Sequence, residues 1–118
     1  KFIDSWECIF HVSNRPLNFP THWSAMRFDV QEFAVPQTNY KDRKLHPTQK
    51  PLGLIKWLIE YGSFAGDNIL DPFAGGGTTG HAAIDLQRKC TLIELDKSYI
   101  QEIIERCHSR ITGDDNKN

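Results

Sequence analysis

Ten residues, DPFAGGGTTG at 71–80, concentrate the groups in this chain best suited to chemistry. They offer one carboxylate (Asp71), one aromatic ring (Phe73), two hydroxyls (Thr78 and Thr79) and a run of three glycines. Glycine this dense serves a backbone that must turn sharply or let a ligand come close. Gly75, Gly77 and Gly80 fit the spacing GxGxxG, and an acid, Glu94, follows Gly75 by 19 residues. Nucleoside-binding folds use such a turn between a strand and a helix, with an acid about 20 residues on for the ribose hydroxyls. The plain alternative is a tight turn with no ligand.

Asp71 narrows the ligand. It is expected at the carboxyl end of a strand, where open α/β sheets bind their ligands. A carboxylate there repels a pyrophosphate, which needs the following helix N-terminus to itself, so a dinucleotide is a minor reading. It attracts a cation. S-adenosylmethionine combines an adenosine, for Glu94, with an amino group and a sulfonium, for an acid near the turn. No Gly-Lys-Ser/Thr occurs, so an ATP-type phosphate loop lacks its lysine and its metal-binding hydroxyl.

The elements that would position these groups are legible in the second half. PLGLIKWLIEYG (51–62) reads as a helix with Pro51 in its first turn, Gly62 at its stop and an apolar stripe of Leu54, Ile55, Leu58, Ile59 and Tyr61. Asn68–Asp71 is a short apolar run bounded by turn signals, the mark of a buried strand. The segment 78–88 predicts a helix packed through Ala82, Ala83 and Leu86, and Cys90–Leu95 a second strand. Residues 98–111 give the clearest helix, with Ile100, Ile103, Ile104, Cys107 and Ile111 on one face. This alternation implies a parallel sheet with flanking helices. The first half is loop-rich, with Pro16, Pro20 and Pro36; 6–12 and 28–35 read as strands. The tail from Gly113 should be frayed.

These segments resemble the amino-methylating DNA methyltransferases, which modify adenine N6 or cytosine N4. DPFAGGGTTG resembles their S-adenosylmethionine motif, HPTQKP (46–51) the motif just ahead of it in the permuted, beta-type members, and LIELDKSYI (92–100) the ribose-binding strand end. The resemblance covers about 46–111 and implies a Rossmann-like methyltransferase fold. It also implies cofactor contacts from Thr48, Lys50, Asp71, Phe73, Gly75, Gly77, Thr78, Thr79 and Glu94. Each has a plainer alternative. Thr48 can cap the helix at 51–62, Lys50 can face solvent, and Phe73 can be core. Thr78 and Thr79 can cap the next helix while touching a ligand. Glu94 is the family match for the ribose, Asp96 the lesser choice.

The family's catalytic Asp/Asn/Ser-Pro-Pro-aromatic tetrapeptide is not in these 118 residues, which contain no Pro-Pro pair. In the permuted order it lies upstream, so no catalytic residue is assigned here. Three or four expected strands make about half of a doubly wound sheet. The expectation is a single, incomplete methyltransferase domain over 1–118. Residues 1–45 form a strand-and-loop part in the target-recognition position, 46–111 a cofactor-binding part, and 112–118 a flexible tail. DNA is the expected substrate. A second chain, a self-associated copy or an N-terminal portion would complete the sheet, whose open edge predicts such a partner. The alternative is a non-catalytic DNA-binding or assembly subunit, or a degenerate remnant.

Composition agrees with a cytoplasmic globular domain. Hydrophobic residues make up 39% and charged residues 25%, and no apolar run reaches the roughly 20 residues of a membrane span. The sequence has no starting Met and no signal organisation, suggesting a trimmed or partial reading frame. Residues 1–50 carry seven Lys/Arg against five Asp/Glu, and 51–118 seven against ten. The positive part includes KDRKLH (41–46), which is either solvated surface or a phosphate contact. Three widely spaced cysteines, Cys8, Cys90 and Cys107, read as reduced core thiols, and no metal site is expected.

Overall fold

A computed structural model describes residues 7–12, 14, 30–34 and 49–113. In chain order the elements are α1 (Leu52–Gly62), β1 (Asn68–Asp71), α2 (Thr78–Asp85), β2 (Lys89–Leu92) and α3 (Lys97–Thr112). β1 and β2 pair in parallel, with Ile69 opposite Cys90 and Asp71 opposite Leu92. The expected α/β alternation is therefore present, with helices around a parallel pair.

The core is small because its builders are small. Ala82 and Ala83 are fully buried, and Ile59 of α1 joins them. Leu52, Ile55, Ile69, Leu86 and Cys90 pack around this centre. Alanines at the middle of α2 let it lie close to both α1 and the sheet. Gly80 brings it closer still. A Cβ there would stand 2.7 Å from Leu92 Cδ1 and 2.9 Å from Cys107 Sγ, inside contact distance for both β2 and α3.

Several boundaries differ from the sequence reading, each for a physical reason. α2 stops at Asp85, not 88, because Gln87 adopts a left-handed conformation with φ 60°. The bonds from Gln87 N–H to Ile84 O and from Arg88 N–H to Ala83 O close the helix around it, as in a Schellman end. Gln87 O then accepts from Gly66 N–H and ties this turn to the loop before β1. β2 ends at Leu92 rather than at 95, but two further bonds continue the ladder into the loops: Ile93 N–H to Asp71 O, and Ala74 N–H to Ile93 O.

The apolar face of α3 is wider than what covers it. Ile103 is buried, yet Ile104 and Ile111 remain exposed, because α2 and the glycine turn occupy only one strip of the helix. β1 is likewise not a buried strand: it alternates, with Leu70 on an uncovered face at 64% exposure. Neither N-terminal strand is present among the described residues. Positions 7–12 and 30–34 are irregular, and the rest of 28–35, with residue 6, lies outside the described set. β-forming side chains make a strand only where another strand offers hydrogen bonds. Here His11 meets Tyr61 edge-on at 6.1 Å, and Phe33 leans on Trp57 at 6.4 Å, so these segments lie against α1 instead. The described sheet thus has two strands, not three or four. α3 ends at Thr112 and is capped by Gly113, left-handed at φ 75°; the tail at 114–118 is outside the described residues.

Candidate functional site

The carboxyl ends of β1 and β2 and the N-terminus of α2 converge on a cleft of ≈ 360 Å³. Asp71, the last residue of β1, organises its floor. One carboxylate oxygen accepts the Phe73 N–H at 3.0 Å and the other accepts the Thr79 hydroxyl at 2.5 Å. The strand end, the turn and the first turn of α2 are thereby held by a single side chain. Thr79 spends its hydroxyl on Asp71, so it does not cap α2. The N-cap is Gly77, with φ 74° and no side-chain cap bond. Thr78 is buried beside it.

Glu94, just past β2, closes the other side. Its Oε2 accepts the Gly75 N–H at 2.7 Å and its Oε1 accepts the Asp96 N–H at 2.9 Å. The amides of Asp96 and Gly75 hold the Glu94 carboxyl below its ordinary value, so it is an anion at neutral pH. The acid 19 residues beyond Gly75 therefore touches the glycine turn directly. Asp96 acts on its own helix instead, capping α3 by accepting from Ser98 N–H at 2.9 Å.

Of the residues singled out by sequence, Lys50, Asp71, Phe73, Gly75, Thr78, Thr79 and Glu94 line this cleft. Phe73 is 88% exposed at its edge, so it is not core. Lys50 is ion-paired with Glu7, Nζ to Oε2 2.5 Å. Gly77 stands apart. A Cβ on it would face Ile103 of α3 at 3.2 Å, and its N–H is bonded to Ala74 O at 2.8 Å. Its glycine identity answers to packing and to its positive φ. Thr48 lies outside the described residues; α1 is capped at Pro51 with no side-chain cap bond.

Sequence reasoning missed Gln49, Ile55, Ala74 and Gly76, which also line the cleft. Gln49 sits between two residues that were singled out, but its burial is a tertiary fact with no local sign. Ile55 was assigned to the helix stripe, and it serves the stripe and the cleft wall together.

With Lys50 paired to Glu7, the carboxylates of Asp71 and Glu94 dominate the cleft, beside backbone amides at a helix N-terminus. Such a site suits a ligand that carries positive charge, hydroxyl donors and a flat apolar part.

The chain resembles known proteins. A family model described as DNA methylase, for the N6/N4 methyltransferases, matches residues 2–106. The chain is similar to the type II methyltransferase M.HpaI of Haemophilus parainfluenzae, 40% identical over 74% of this chain and 28% of that protein. It is 49% identical to the DNA adenine methyltransferase YhdJ of Escherichia coli K12, over 52% of this chain and 21% of that one. Among solved structures, the M1.HpyAVI–SAM complex aligns with a TM-score of 0.56 and 32% identity, covering 68% of this chain and 41% of that one. The chain thus spans about a quarter of the length of the curated relatives it matches.

Proposed function

The chain belongs to the N6/N4 DNA methylase family, and from that membership we propose that residues 46–111 are a cofactor-binding part that holds S-adenosylmethionine in the cleft. The observation that carries this is the pairing of two carboxylates, Asp71 and Glu94, across one glycine turn with an exposed aromatic between them. The complex of M1.HpyAVI with SAM, similar in fold and sequence, supports the same ligand.

The residues fit the group. Each Glu94 oxygen already accepts one amide and retains a lone pair for a ribose hydroxyl. Phe73 offers a free ring edge and face for the adenine. Asp71, fixed by Phe73 N–H and Thr79, directs negative charge toward the ligand's amino group. Lys50, Thr48, Thr78, Thr79 and the backbone of Gly75 and Gly76 complete the proposed contacts, and Gly77 shapes the turn through its packing on Ile103. When bound, S-adenosylmethionine supplies a methyl group on a cationic sulfur, open to direct displacement. What the chain's own residues contribute is position and exclusion of water.

The proposed reaction of the whole protein is methylation of an exocyclic amine, adenine N6 or cytosine N4, in DNA, with the base taken out of the stack. The 118 residues hold no Pro-Pro-aromatic segment, so we assign no catalytic residue among them. An apolar hollow of ≈ 300 Å³ runs between α1 and β1, lined by Ile69 and Leu70 and by no residue of β2. We propose this as the place where a further strand, from the same protein or a second chain, extends the sheet. From the family's action on DNA we propose a cytoplasmic location; among the described residues no helix is long and apolar enough to cross a membrane. The second reading is a non-catalytic subunit. It separates from the first by assaying methyl transfer to DNA with this chain alone and with its co-purifying partners.

Calorimetric titration with S-adenosylmethionine, and separately with NAD, tests the cofactor assignment. Binding of S-adenosylmethionine alone is expected. Binding of NAD alone would overturn it, and a folded chain that binds neither would favour the remnant.

A further inference from the structure

Three consecutive glycines have the greatest backbone freedom that a chain can offer, yet each of these is tied down by a different partner. Gly75 N–H is held by Glu94 and Gly77 N–H by Ala74 O. The middle one is held through its carbonyl, which accepts from Arg106 Nη1 at 2.8 Å. The same nitrogen lies 3.4 Å from the Thr78 hydroxyl oxygen. Arg106 is on α3, 30 residues away from Gly76, and none of the motifs that mark the turn includes it.

We propose that Arg106 is a positioning residue that sets the orientation of the glycine turn for its ligand; this rests on reading the turn as the S-adenosylmethionine site. A peptide unit is planar, so clamping the Gly76 carbonyl fixes the whole Gly76–Gly77 plane. Gly76 and Thr78 both line the cleft and both are buried. A guanidinium bond to a carbonyl is charge-assisted and so stronger than a neutral one. Simple electrostatics does not explain it: a cation beside the first turn of α2 opposes the helix dipole, and it does nothing for a cationic ligand. Its effect on the turn is geometric. Ile103, one turn earlier on α3, packs against Gly77, so the helix braces two of the three glycines.

The test compares the 118-residue chain with Arg106→Met and Arg106→Lys, reading amide exchange at Gly75 and Gly77 without ligand and calorimetric affinity for S-adenosylmethionine. Arg106→Met is expected to speed exchange at those two amides selectively and to weaken binding by up to about tenfold, the limit reached when the ligand must supply all the ordering that the charge-assisted bond gave. Arg106→Lys should fall between, since it keeps the charge but not the fork. Exchange and affinity both at wild-type levels in Arg106→Met would overturn the proposal. So would equal loss of protection across β1, β2 and the turn, which marks a merely structural residue. If Arg106→Met does not fold, Arg106→Lys decides: wild-type exchange and affinity together sink the idea. If the wild-type chain binds no S-adenosylmethionine while the turn still loosens selectively, the cofactor reading fails and the positioning role stands.

Discussion

Replacing Gly80 by Ala sets two effects of known size against each other. Gly80 lies in the first turn of α2, where alanine is the better helix former by about 1 kcal/mol. If that were all, the variant would be more stable. The added Cβ, however, would stand 2.7 Å from Leu92 Cδ1 and 2.9 Å from Cys107 Sγ, against a normal carbon contact of roughly 3.5–4.0 Å. Two neighbours on different elements must each give by about 1 Å, and overpacking of this kind costs about 1–3 kcal/mol. Overpacking outweighs helix preference, and Gly80→Ala should lose about 1 kcal/mol net in urea unfolding. Gly62, at the end of α1, is the matched control: a Cβ there meets nothing within 4 Å. Gly62→Ala should therefore hold or raise stability, by up to about 0.5–1 kcal/mol. Leu92→Val shortens the side chain that Gly80→Ala strikes, so the double variant should be less destabilised than the sum, with a coupling of about 1 kcal/mol. Should Gly80→Ala stabilise the chain as Gly62→Ala does, with no coupling to Leu92, the close packing of α2 on β2 is wrong.

Other consequences can be measured separately. Asp85 has a side chain only 8% exposed and pairs with Lys56 and Arg110; burial raises its carboxyl, but these hydrogen bonds outweigh it and the net shift is downward. Asp85→Asn should destabilise by about 1–2 kcal/mol at pH 7, less than for a fully buried pair because both cations can turn to water, and urea midpoints would show it. Glu94 is also lowered, chiefly by the amides of Asp96 and Gly75, so its anchoring is present above its ordinary value of 4.5 and is lost as pH falls through the folded value. Glu94→Gln should flatten that acid dependence in a pH series of melting curves. His81 is lowered by burial and then by Arg106, so it is neutral at pH 7 and should add to the loss of stability on acidification. Cys90 is pushed up to about 11 by burial and Cys107 is also raised by burial, whereas Cys8 is exposed. At pH 8 a thiol reagent should therefore modify Cys8 first and the other two only on unfolding.

The site was legible where chemistry and spacing coincide in one stretch. Asp71, the glycines and Glu94 announce themselves through turn signals and a fixed separation, and the strand Asn68–Asp71 was placed at its observed bounds though expected to be buried. What failed to show was anything that depends on a distant partner. Nothing local marks Gln87, a non-glycine, as the left-handed residue that ends α2. Positions 7–12 carry apolar, β-forming side chains and read as a strand, yet a strand needs a neighbour to bond with, and here α1 offers side chains instead. Gly77 fits the ligand-approach pattern by sequence, while its contact with Ile103 belongs to packing. Gly80, from the same motif, likewise answers to Leu92 and Cys107.

The anchoring of the glycine turn from several sides has a consequence for folding. Ordering a backbone residue costs about 1–2 kcal/mol, and glycine stands at or above the top of that range. Three in a row therefore carry an entropy penalty of about 5 kcal/mol, which no bond inside the turn can offset alone. Order arrives only when β1, the loop after β2 and α3 have all docked, since Ala74 follows β1, Glu94 follows β2 and Arg106 lies on α3. The turn thus becomes native only together with those three elements. A ligand that binds there would act as a clamp on the whole assembly, reading out complete folding before it binds.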